Sequence, residues 1–89
     1  MTFADESSVR AAVEAALGVV LKLKPEETTH AFRADVPAWD SLAHIELLFA
    51  IEEEIGIQYP EQIMAGLAST DELVSEAQRA LHGGQVEPK

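Results

Sequence analysis

The sequence predicts a small all-α domain: a four-helix bundle of three main helices plus one short helix, with a long loop after the first. Three observations carry this. Apolar residues recur at i, i+3, i+4 spacing in three separate stretches. Each stretch is followed by a helix-ending signal: Pro25, then Gly56, then Gly83-Gly84. Ile57 and Tyr59 do alternate with polar residues, but that run is too short for a strand. The chain of 89 residues suits one domain, with an ordered core over about 6–82 and a mobile tail at 85–89.

The first helix follows a short lead-in, Met1 to Asp5, with Asp5, Ser7 or Ser8 as candidate caps. Val9, Ala12, Val13, Ala16, Leu17 and Val20 form its apolar face, and it should end near Leu21 to Leu23 because Pro25 lies just beyond. Lys24 to Ala38 then reads as the long connection, with Phe32 as its expected apolar anchor and Val36 beside it. A short helix is expected over Pro60 to Ala65, stopped by Gly66. Ser69 with Glu72 three residues later fits a capping box that opens the last helix. Its buried face is built from Leu73, Val74, Ala77 and Leu81.

Composition narrows the function. Six Lys plus Arg against 16 Asp plus Glu give a net charge of −10. That charge disfavours nucleic acid and anionic membrane surfaces, and favours basic protein partners. There is no cysteine, so the chain has neither a disulfide framework nor a thiolate of its own. No apolar run is long enough to span a membrane, and the acidic N-terminus lacks the basic start of a secretory signal. A cytoplasmic location is the expectation.

The most informative stretch runs from Trp39 to Ile55. Pro37 disfavours helix at Ala38, and Asp40 and Ser41 are good N-cap residues, so the helix should start there. Ser41 then lies where free backbone N–H groups and the dipole favour an anion such as a phosphate. Advancing about 100° per residue separates two apolar arcs. Leu47, His44, Ile51, Ile55 and Leu48 fall on one, which should be the core face. Leu42, Ile45 and Phe49 fall on the other, bordered by Glu46, Glu52 and Glu53. One arc suffices to dock a helix on its own domain. The second reads as a surface kept for partners, although a wide packing could also bury it.

These residues resemble the acyl carrier protein family. The resemblance rests on Asp40-Ser41-Leu42 opening the helix, with Glu46-Leu47, Glu52-Glu53-Glu54 and Tyr59-Pro60 following, and covers roughly Val9 to Leu81. It implies that Ser41 carries a 4′-phosphopantetheine arm, derived from coenzyme A, with acyl groups held as thioesters, and that Asp40 shapes the attachment site. It implies as partners a phosphopantetheinyl transferase and acyl-loading and acyl-processing enzymes with basic docking surfaces. Leu42, Ile45, Glu46, Phe49, Glu52 and Glu53 would form the partner surface. The expected protein is a stand-alone, monomeric carrier and not an enzyme. Phe32 and the serine are one residue further apart than in fatty-acid carriers, and Trp39 directly precedes the motif. Both features favour a specialised pathway.

Rival readings differ in class. A helical interaction adaptor lacking the prosthetic group would use the same surface. A hydrolytic triad of Ser41, His44 and Asp40 would need a pocket and oxyanion donors that a bundle of this size has little room for. His44 is expected to be a hydrogen-bonded core histidine, and no His, Asp or Glu spacing suggests a metal site.

Overall fold

The structure, a computed structural model, describes residues 6–84. Helix α1 spans Glu6–Leu21, the one-turn α2 Pro25–Thr28, and a 3-10 turn Arg33–Asp35. Helix α3 spans Ser41–Ile55, the one-turn α4 Glu61–Met64, and α5 Thr70–Arg79, which runs on into a wider π-type turn at Ala80–Gly84. Among the described residues there is no strand, only an isolated antiparallel bridge between Phe32 and Ser69. The expected lead-in at 1–5, the Asp5 cap and the tail at 85–89 lie outside the described residues.

Helix α1 is the central partner, packed against both α3 and α5. Val9, Val13 and Leu17 from α1 meet Leu47 and Ile51 from α3 and Leu73 and Val74 from α5 in one buried cluster. Val20 is only partly buried, and Ser7 and Ser8 lie inside α1, so neither serine is its N-cap. Lys22 ends the helix in the left-handed region at φ 58°, an uncommon conformation for a non-glycine residue. At the end of α3, Gly56 takes φ 83° and returns its N–H to Glu52 O, a left-handed cap that a side chain would strain.

The long connection corrects one expectation. Phe32 is 52% exposed and anchors nothing with its ring. Backbone pairing and hydroxyls hold the loop instead. Thr70 N–H donates to Ala31 O at 2.9 Å, and Arg33 N–H to Ala68 O at 2.8 Å. The buried Thr70 hydroxyl accepts from Ala31 N–H at 2.9 Å and donates to Thr28 O at 2.7 Å. One side chain at the start of α5 thereby satisfies two buried backbone groups of the loop. The apolar anchors are Ala31 and Trp39, both buried, with the partly buried Val36 packed against the same core as expected. Part of the loop is also helical, because Pro25 presets the first turn of α2 and Glu27 accepts from Lys24 N–H.

Other joints are polar as well. The Arg10 guanidinium reaches Asp71 at 3.0 Å and Thr29 O at 3.3 Å, tying α1 to the loop and to α5. That hydrogen bond, partly opposed by desolvation, holds the Asp71 carboxyl below its ordinary range. A lowered carboxylate contributes stability at neutral pH that fades as pH falls through the lowered value, and Asp71 is exposed enough to keep the effect small. Ser69 caps α5 by accepting from Glu72 N–H, while Glu72 reaches one residue beyond the usual box to accept from Ala68 N–H.

Replacing Thr70 by Val should therefore cost about 1–3 kcal/mol, because it strands Ala31 N–H and leaves Thr28 O without its donor. Phe32→Ala should stay within about 0.5 kcal/mol. Chemical denaturation midpoints check both. Equal losses would return the anchoring role to Phe32.

Candidate functional site

Helix α3 begins where its sequence says it should. Asp40 is the N-cap, extended at φ −94° and ψ −172°, and its carboxylate accepts from Ala43 N–H at 2.9 Å. Its carbonyl accepts from His44 N–H. These two bonds use the N–H groups of Ala43 and His44, leaving those of Ser41 and Leu42 at the open end of the helix. Ser41 is exposed, and its hydroxyl has no partner among the described residues. A free hydroxyl on the first residue of a 15-residue helix can accept a bulky anionic substituent without disturbing the core.

The two arcs of α3 separate cleanly in the structure. His44, Leu47, Leu48, Ile51 and Ile55 are buried. Leu42, Ile45 and Phe49 are 67%, 50% and 60% exposed, a run of large apolar side chains facing solvent. Glu46 and Glu53 are exposed beside it. Among the described residues Val19 of α1 and Phe32 are the other large apolar groups this open to solvent.

Glu52 departs from the rest of the rim. It is only partly buried, and its carboxylate accepts from Tyr59 N–H at 2.8 Å, closing the turn after α3. Its first use is structural, so reversing its charge would strike the fold as well as the surface. Tyr59 is itself buried, and its hydroxyl donates to Leu73 O at 2.8 Å. Burial pushes the phenol well above its usual pKa, so it stays a donor over the whole ordinary pH range.

The triad geometry does not form. The Asp40 carboxylate faces Ala43 N–H, and the His44 ring turns inward. His44 Nδ1 accepts from the Trp39 indole N–H at 2.9 Å, and Nε2 lies 2.8 Å from Met64 O. The partners assign the tautomer. An indole N–H can only donate and a carbonyl can only accept, so the proton sits on Nε2. Among the described residues no group of three or more His, Asp or Glu could hold a metal, and no helix is long and apolar enough to cross a membrane.

An exposed capped serine beside an exposed apolar stripe, on an acidic helical bundle, is the setting in which a relative becomes informative. The chain is 38% identical over 68 residues to acyl carrier protein 3 of Ralstonia nicotianae, across 71% of this chain and 77% of that protein. It belongs to the acyl carrier protein family. No protein-family model and no solved structure matches it. Its place in the family supports a carrier role. The Trp39–His44 pair was the feature of this site hardest to see in the sequence. The available signal was a histidine on the core arc, which needs partners, and a donor-only indole five residues away.

The division of α3 is checked by truncating one residue from each arc. Ile51→Ala should cost about 2–5 kcal/mol, since Ile51 is fully buried. Phe49→Ala should cost about 0.5 kcal/mol or less. Comparable losses on urea denaturation would make Phe49 part of the core.

Proposed function

We propose that this carrier holds acyl or related intermediates as thioesters on a 4′-phosphopantetheine arm attached to Ser41, and presents them to partner enzymes. The observation that carries the reading is Ser41 itself: exposed, unbonded, and on the first turn of a helix capped by Asp40. The donor set fits the group. The N–H groups of Ser41 and Leu42 and the positive end of the α3 dipole favour a phosphodiester there. The group supplies the thiol that a chain without cysteine lacks.

In the attachment reaction the Ser41 oxygen bonds to the phosphorus of the pantetheine half of coenzyme A. The bond to adenosine 3′,5′-bisphosphate breaks, and the serine proton passes to a base on the transferase. Asp40 contributes by holding the first turn of α3 in shape. Leu42, Ile45 and Phe49 supply apolar contact for the transferase and for acyl-loading and acyl-processing enzymes. Glu46 and Glu53 supply charge that steers basic surfaces toward them, with Glu52 adding charge from its structural position. The carrier acts on nothing itself; its arm replaces diffusion of free intermediates by a short tethered reach. The acidic charge of −10 favours partners with basic surfaces, and the Trp39 before the motif favours a carrier of a specialised pathway.

Incubation with coenzyme A and a broad-specificity transferase should add one phosphopantetheine by intact mass, and Ser41→Ala should abolish it. Absence of any addition would favour an adaptor role for the same surface. Glu46→Lys with Glu53→Lys should slow partner loading and flatten its salt dependence, while the unfolding midpoint moves by less than about 0.5 kcal/mol. Wild-type loading that ignores salt would reduce these glutamates to a solvated face.

A further inference from the structure

The residue before the Asp40-Ser41 turn is held at three points. Trp39 N–H donates to Val36 O at 2.9 Å, Trp39 O accepts from Arg33 Nε at 3.1 Å, and the indole donates to His44 at 2.9 Å. Trp39 is 3% exposed, and its ring is inclined 29° to the imidazole, with centroids 6.1 Å apart. His44 passes the connection on to Met64 O, the last carbonyl of α4. A buried histidine thus joins three pieces of chain: the segment entering α3, the first turn of α3, and the end of α4.

Helix α4 needs that joint. It is a single turn, far shorter than a helix that stands alone. None of its residues is fully buried; Ile63 and Met64 pack against the core only in part, so a polar tie adds to what apolar packing supplies. It also forms the far wall of a groove shared with Phe49, lined there by Pro60, Glu61 and Met64. The position of α4 relative to Ser41 therefore decides what shape a docking enzyme meets. The hydrogen bond from His44 is the polar contact that ties α4 to the serine-bearing turn.

We propose that the Trp39–His44–Met64 relay is a positioning device that locks the Asp40-Ser41 turn and α4 into one unit, with His44 as its central positioning residue. His44 is buried and both its ring nitrogens are engaged inside the fold. It acts through Trp39 on the serine turn and through Met64 on the groove wall. The consequence rests on the carrier reading above: enzymes that use Ser41 recognise the turn and α4 together, so breaking the relay weakens their binding more than their chemistry.

The test uses three variants of the whole chain. His44→Leu removes both bonds. Trp39→Phe keeps an aromatic ring and removes only the indole donor. His44→Gln keeps one acceptor and one donor. The readouts are the KM and kcat of transferase labelling, and amide hydrogen exchange over 38–42 and 61–66. Loss of one neutral hydrogen bond is worth about fivefold, so KM for the carrier should rise about fivefold or more in His44→Leu with kcat little changed. Exchange should speed up in both segments at once. Trp39→Phe should speed exchange in 38–42 and raise KM, and His44→Gln should recover much of the wild-type behaviour. Should His44→Leu fail to fold, Trp39→Phe and His44→Gln still decide the matter. Wild-type KM and wild-type exchange in Trp39→Phe and His44→Leu would overturn the proposal. A wild-type chain that accepts no phosphopantetheine would count against the carrier reading instead, and the exchange data alone would then judge the relay.

Discussion

The rotation of α3 about its own axis is the constraint on which everything else depends. Leu47 and Ile51 are fully buried, and Leu48 and Ile55 nearly so, against α1 and its neighbours. Burying a side chain of this size is worth about 1.5–3 kcal/mol, and one residue of rotation turns the helix by about 100°. Such a turn would carry Glu46 and Glu54 toward the core in one sense of rotation, or Glu52 in the other. The rotation is therefore fixed, and the outward aim of Leu42, Ile45 and Phe49 follows from it. Ser41 stands at the seam between the two arcs, at the end of the helix where the backbone donors are open.

A domain without cysteine cannot staple its loops covalently, and this one uses buried and part-buried hydrogen bonds at its joints. Thr70 fastens the first loop, Glu52 and Tyr59 close the turn after α3, and His44 connects α3 to α4. Each group turns a polar side chain onto backbone atoms that are buried at Thr70 and Tyr59 and part-buried at Glu52 and His44. The relay through His44 is the joint closest to Ser41, which is why its loss should be felt in recognition and not only in stability.

The helices were legible in the sequence because their signals are local. The caps at Asp40 and Ser69, the glycine at position 56 and the two arcs of α3 all depend on spacings of a few residues. The loop was not legible for the opposite reason. Phe32 looked like an anchor because hydrophobicity is visible in a sequence, whereas the bond between Thr70 and Thr28 joins residues 42 apart and leaves no local trace. By spacing Glu52 belongs to the rim with Glu46 and Glu53. Its bond to Tyr59 N–H appears only once Gly56 has turned the chain back on itself. The burial of His44 was visible in its position on the core arc, but the geometry that gives it two partners needed the fold.

In the proposed function one end and one face of α3 form the working surface. Titrating the uniformly 15N-labelled and methyl-labelled protein with a phosphopantetheinyl transferase, and following shift changes residue by residue, tests it directly. The expected footprint is confined to Asp40 to Glu53 and to α4, with Ser41, Leu42, Ile45 and Phe49 among the largest changes. Perturbation centred instead on the exposed side of α1 around Val19, with α3 silent, would contradict it.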